Sequence, residues 1–328
     1  MKAGFGLFSI LMLLTGALPA FAQMSDSSNP LDLSLSPQFP RPYEAVTVTP
    51  GSTLIDLSSS KVTITVNGTV VQRGSGSAPV QIQAGAAGTR STIKVTAITG
   101  DGQTYTKSLT ISPADVSLVV EPVSTAHPFY KGASLVASEG LVRLIAIPDL
   151  RTASGAAIPA SSLVYTWKNG DQVLQSDSGI GKSVLTATAP VKFRDATISV
   201  TVATPDSSTV AQTSALISPV DPVVRIYQND PLLGPLFNYA LPDTISMSDA
   251  EDTFRAVAYY FTGTPSLAWS VNNVQSQSGQ DITVRSSGSG SGTAIVGFEA
   301  NQAATSQNAN ASMTVQFGAK KSLGIFGL

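Results

Sequence analysis

A single imidazole, His127, and no thiol are available to do chemistry in this 328-residue chain. Without cysteine, disulfides, thiolate zinc sites, iron–sulfur clusters and cysteine nucleophiles are excluded. A serine hydrolase would have to recruit His127 as its base, and no Gly-x-Ser-x-Gly elbow accompanies it. His127 precedes a proline in His127-Pro128-Phe129-Tyr130-Lys131-Gly132, which reads as a loop histidine at a packed turn. His127, Phe129, Tyr130 and Lys131 form the candidate binding surface, because truncating a few aromatic or charged loop residues is what abolishes recognition.

Two other stretches invite a chemical reading. SDSGIGKS, residues 176–183, ends like a phosphate-binding loop, but the first glycine of that motif falls on Ser176. The following VLTATAP reads as a strand, so no helix N-terminus is available to hold phosphate. Asp249, Glu251 and Asp252 are the densest carboxylates and lack the alternating spacing and glycine of a calcium loop. They read as a solvated loop or the first turn of a short helix. A weak calcium site completed by a neighbouring domain is the alternative. No pair of carboxylates is marked out for glycoside hydrolysis, and no cofactor or resident metal is expected.

The composition says where such a chain works. Charged residues make up 12% and the net charge is −2, so no basic field exists to hold nucleic acid. The first 22 residues carry Lys2, an apolar run from Phe5 to Leu18 and Ala20-Phe21-Ala22 before Gln23, the layout of a signal peptide. No later segment is long and apolar enough to span a bilayer as a helix. The expectation is a secreted, extracellular or envelope protein with no transmembrane span after cleavage.

The elements that must position any site come from a repeat. SLTISPAD at 108–115 returns as SALISPVD at 214–221, each an apolar run closed by Ile-Ser-Pro and followed by Asp. Proline lacks a backbone donor and suits a strand exit. Three strand-like runs fall in step: KVTITVNG with Ile64 before Asn67-Gly68, LVYTWKNG with Trp167 before Asn169-Gly170, and SLAWSVNN with Trp269 before Asn272-Asn273. Period-two alternation predicts strands, and Asn-Gly supplies the positive φ values of a type I′ hairpin turn. The middle run is one residue shorter between Trp and Asn, so a local register adjustment is expected there. Ile64, Trp167 and Trp269 are expected to be core residues between two sheets.

Units of this length with short alternating strands and frequent turns predict an all-β chain of three tandem immunoglobulin-like β-sandwiches. We place a linker at 23–30 and the units at 31–113, 114–219 and 220–318, followed by an apolar tail at 319–328. The linkers are one or two residues long, so the string is expected to be semi-rigid. The tail either stays without structure, docks on the third unit, or adds as a strand to a partner's open edge.

The Tyr165-Thr166-Trp167-Lys168-Asn169-Gly170 element resembles the third strand of bacterial Ig-like and PKD-like domains. With His127 to Gly132, Ala146-Ile147-Pro148 and the three-unit layout, the chain resembles secreted tandem Ig-like proteins of ultrasmall, Parcubacteria-type bacteria. The resemblance implies an exported envelope or surface-appendage protein and brings no enzymatic activity. The expected function is that of a stalk, adhesion or protein-interaction module whose partners are other surface proteins or a glycan. A glycan- or protein-binding site on the second unit is the alternative reading, and a His127 hydrolase a more distant one.

Overall fold

The structure, a computed structural model, describes residues 29–126, 134–247, 249–286 and 290–318. Among them strands account for all of the regular structure apart from three short 3-10 turns. The first sandwich is built from β1 (Leu31–Ser36), β2 (Ala45–Ser52), β3 (Lys61–Val66), β4 (Thr69–Ser75), β5 (Val80–Gln83), β6 (Ser91–Ile98) and β7 (Thr104–Ile111). Its sheets have the orders β1-β2-β5 and β4-β3-β6-β7.

The second contains β8 (Asp115–Val123), β9 (Leu141–Asp149), β10 (Val164–Asn169), β11 (Gln172–Val173), β12 (Gly179–Ile180), β13 (Val184–Thr188), β14 (Ala196–Ala203) and β15 (Val210–Ile217). Its sheets run β13-β9-β8 and β11-β10-β14-β15, with β12 also on β10. The third contains β16 (Val223–Asp230), β17 (Gly234–Pro235), β18 (Thr244–Ser246), β19 (Glu251–Tyr259), β20 (Ser266–Val271), β21 (Val274–Ser278), β22 (Asp281–Arg285), β23 (Gly292–Gln302) and β24 (Gln307–Phe317). It pairs β17-β16-β19-β22 with β18-β24-β23-β20-β21. The same immunoglobulin-type strand order thus occurs three times. The third copy adds β18, which lies parallel to the end of β24.

By contacts the chain divides into two units. One gathers the described residues up to Leu35 with Val48–Val80 and Thr92–Leu109; the other gathers Ser36–Thr47, Gln81–Ser91 and the chain from Thr110. In the first unit Ile64 is paired with Val95 across β3 and β6, and both are fully buried. In the second, Trp167 pairs with Val200 and Trp269 with Phe298, so each occupies the position that Ile64 holds in the first sandwich. Trp167 packs in a cluster with Val142, Leu144, Leu185 and Val200. Trp269 packs in another with Phe254, Phe261, Ile282 and Phe298, meeting Phe298 edge to face at 4.7 Å between ring centroids. Side chains of these types leaving water contribute about 25 cal/mol per Å² of apolar surface. That burial, with ladder hydrogen bonds, must carry a chain that has no cross-links.

The middle hairpin departs from the sequence expectation. Asn169 is the last residue of β10, paired with Gln172, and the tip is Gly170-Asp171. The tips at Asn67-Gly68, Gly170-Asp171 and Asn272-Asn273 therefore all start three residues after Ile64, Trp167 and Trp269. The first and third hairpins shift register just after Ile64 and Trp269, whereas in the middle one the partner of β10 changes from β11 to β12, the local adjustment expected there. The reason is geometric. The strand opposite sets the closing pair, and the position that takes φ between 50° and 56° is Asn67, Gly170 or Asn272. Asn169 has no need of that conformation.

The doubled phrase lies where one sandwich hands over to the next. Ile111 and Ile217 end β7 and β15 and are buried, followed by the buried Pro113 and Pro219. Within the second unit the aspartate closing each phrase is ion-paired, Asp115 with Arg41 at 3.1 Å and Asp221 with Lys192 at 2.7 Å.

Candidate functional site

The residues singled out for binding, His127, Phe129, Tyr130 and Lys131, lie outside the described residues, as do residues 1–22 and 319–328, where a signal peptide and a tail were expected. The stems of their loop are described, and they lead to the seam between the second and third sandwiches. On one side Ser124 and Ser134 are hydrogen-bonded to each other at 2.6 Å, and Ser124 also donates to Leu135 O. On the other, Thr125 behaves like an extra strand residue on the third sandwich. Its N–H donates to Phe261 O at 3.0 Å, its carbonyl accepts from Tyr260 N at 2.8 Å, and its hydroxyl accepts from Phe261 N at 3.1 Å.

The seam is made by polar groups that are themselves buried. Thr262 accepts from Leu141 N at 3.0 Å and donates to Val123 O at 2.9 Å through its hydroxyl, bridging two strands of the second sandwich. Gln307, first residue of β24 and 3% exposed, accepts from Thr262 N at 2.8 Å and donates to Ser138 O at 2.8 Å. Ser138 in turn donates its N–H to Val220 O at 2.7 Å, while Val220 N donates to Val136 O, so the linker residue is stitched into the second sandwich. Gly140 is what lets these groups approach. A Cβ there would lie 2.6 Å from the Thr262 hydroxyl and 2.9 Å from the Gln307 amide. A satisfied buried network fixes one geometry, because any rotation leaves donors and acceptors unpaired at about 1–3 kcal/mol each.

Beside this seam a cleft of about 380 Å³ opens between the start of β16 and the start of β24. Glu139, Asp221 and Arg225 supply its charge, and Ser306, Asn308 and Asn310 line its β24 side. Glu139 and Ser306 both sit at positive φ, 56° and 53°. A non-glycine residue held there stores strain of about 1–3 kcal/mol.

The remaining sequence motifs resolve into structural roles. Gly181 N donates to Leu163 O and Lys182 O accepts the Trp167 indole N–H at 2.8 Å, so SDSGIGKS closes over the core tryptophan between β12 and β13. Glu251 and Asp252 open β19 and do not start a helix; Glu251 is ion-paired with Arg285. Among the described residues no three His, Asp or Glu side chains converge as a metal site would require. Nor is any helix among them long and apolar enough to cross a membrane.

Outside the core, Tyr227 and Tyr259 share a hydrogen bond at 2.9 Å on the outer face of the β16–β19 sheet, with Phe237 edge-on to Tyr227. Burial, reinforced by the Tyr227 hydroxyl, raises the Tyr259 phenol well above its ordinary range.

Sequence reasoning did not find the seam. Ser138, Gly140, Thr262 and Gln307 are isolated small or polar residues with no diagnostic spacing. The one available hint was Gly140 just before a strand-like run, since a glycine there admits close backbone approach.

No family model matches the chain, and no curated protein matches it either. Solved structures with similarity include the three N-terminal domains of the bacteriophage RB49 highly immunogenic outer capsid protein, at 11% identity and TM-score 0.27, covering 88% of this chain and 98% of that one. The fibronectin(III)-like modules of Clostridium thermocellum CbhA match at 15% identity and TM-score 0.27 over 57% of this chain and 94% of theirs. A bacterial ice-binding adhesin matches at 11% identity and TM-score 0.23 over 87% and 96%. At such TM-scores the assignment to immunoglobulin-type sandwiches rests on the strand orders above.

Proposed function

We propose that this chain is an exported, non-enzymatic surface or envelope protein that works as a structural stalk, adhesion or protein-interaction module. Residues 1–22 are its signal peptide, and its sandwiches are bounded at 31–113, 114–219 and 220–318. The observation that carries this reading is the seam. A spacer or presenting module must hold successive domains at a set angle, and Gln307, Thr262 and Ser138 do so for the second and third through buried hydrogen bonds. Such a joint is costly to break and offers no catalytic geometry.

The chain's lack of cysteine makes the test direct. Spin labels on cysteines placed at the exposed Thr186 and Gln277 should give a single narrow distance distribution between the second and third sandwiches. Gly140→Ala combined with Gln307→Ala should broaden it and lower the unfolding midpoint, with a loss of about 2–4 kcal/mol. A broad distribution in the unaltered chain would remove the rigid-spacer reading.

A second reading is supported by the loop stems. Thr125 and Ser134 place the ends of the loop that carries His127, Phe129, Tyr130 and Lys131 beside a fixed joint, a suitable mount for a glycan- or protein-binding surface. In that case Tyr130→Ala abolishes capture of the ligand and leaves the label distances unchanged.

A further inference from the structure

The cleft between β16 and β24 has one open wall made of backbone. Asn272 N donates to Ile295 O, which turns the polar groups of Ile295 towards β20 and away from β24. Ile295 faces Thr314 in an uninterrupted antiparallel register, so the groups of Thr314 point away from β23, as its bond to Asp243 O at 2.7 Å shows. Period two then turns Asn308, Asn310 and Ser312 the same way. β18 covers that edge only at Thr314–Gln316. The outward N–H and C=O groups of Asn308, Asn310 and Ser312 have no backbone partner among the described residues. Across the cleft, Val224 O is taken by the Arg225 guanidinium at 3.1 Å.

We propose that this cleft is a strand-acceptor site, filled by residues 319–328 of a second copy of this chain, which pair with the outward edge of β24 where β18 leaves off. Donors and acceptors spaced every second residue along one edge match an extended backbone and little else. The segment fits in charge and pattern. Lys320 and Lys321 meet a cleft in which Glu139 has no ion-pair partner among the described residues, while Asp221 is already held by Lys192 at 2.7 Å and the Arg225 guanidinium is engaged with Val224 O. Leu323 and Ile325, two apart, fall on one face of a strand and can lie over Val224 and Ala309 in the cleft floor.

The same segment of its own copy is poorly placed. It leaves β24 at Gly318, at the far end from Asn308, and would have to turn back past β18. The inference does not depend on the stalk reading, since an acceptor edge can serve either a spacer or a binding module.

Sedimentation velocity of the full chain over a concentration series tests it. The expected result is reversible self-association weakened at least about 10-fold, or 1.4 kcal/mol, by Ile325→Asp. Asn310→Pro removes one outward donor while sparing the β23 ladder and should do the same; its circular dichroism confirms that the fold is kept. A synthetic peptide of residues 319–328 should return the unaltered chain to monomer. A chain that stays monomeric throughout the series, or that associates equally well with Ile325→Asp, overturns the proposal.

Discussion

Asn67 and Asn272 perform the same task in two different sandwiches. Each donates its backbone N–H across to the neighbouring strand, to Thr92 O and Ile295 O, and each accepts the N–H of that same residue on its side-chain Oδ1 at 2.9 Å. Both sit at a left-handed φ, 51° and 50°. Each asparagine therefore fixes the hairpin tip twice, by tolerating the backbone and by tying it to the next strand. Asn67→Ala and Asn272→Ala should each cost about 1–3 kcal/mol, from the lost bond and the left-handed strain together. Gly170, at φ 56°, stands at the equivalent place with no side chain. Gly170→Asn should be neutral or stabilising, and Gly170→Val destabilising, in denaturant melts of the full chain.

The two tryptophans differ in one bond. The Trp167 indole donates to Lys182 O at 2.8 Å, whereas the Trp269 Nε1 is buried with no hydrogen-bond partner among the described residues. Trp167→Phe loses ring volume and also leaves a carbonyl unpaired; Trp269→Phe loses similar volume and removes an orphaned donor. The first change should therefore cost about 1–3 kcal/mol more than the second. Chemical denaturation, following the remaining tryptophan in each variant, gives the comparison.

Acid should act on Asp206 and Asp252 with opposite signs. The Thr204 hydroxyl, then the Ser208 N–H, hold the Asp206 carboxyl below its usual range. Its contribution is complete above the unfolded pKa, about 3.9, and is lost as pH falls through the lower folded value. Burial, then the charge of Asp249, push Asp252 upward. The folded chain is thus penalised once pH rises past that raised value, and relieved below the unfolded one. Asp206→Asn should lower the melting temperature at pH 7 and have little effect near pH 2. Asp252→Asn should raise it at pH 7 and leave it unchanged near pH 3.

What was legible in the sequence follows from what is periodic. Ile64, Trp167 and Trp269 could be aligned because alternation of apolar residues is imposed directly by the pleat, and the three all-β units followed from that alignment. The middle turn was misplaced by one residue because Asn169-Gly170 is a strong local signal, while the closing pair Asn169–Gln172 is set by the strand opposite. The seam was invisible for a different reason. Gln307 and Thr262 become important only through partners 45 to 169 residues away, and nothing in their own neighbourhood announces those partners. Carboxylates 251 and 252 read as loop or helix because polar residues mask a strand whose outward face is solvated.

The parallel contact between β18 and β24 has a mechanical consequence. β18 lies near the beginning of the third sandwich and β24 at its end, and Thr314 N to Asp243 O and Met247 N to Gln316 O join them. A force drawing apart the chain before β18 and after β24 pulls along both strands at once. These bonds, with the eleven register pairs of β24 on β23, are then loaded together in shear and not peeled one after another. Tension carried through the third sandwich is thus met at the strand whose first residue, Gln307, also locks the joint to the second.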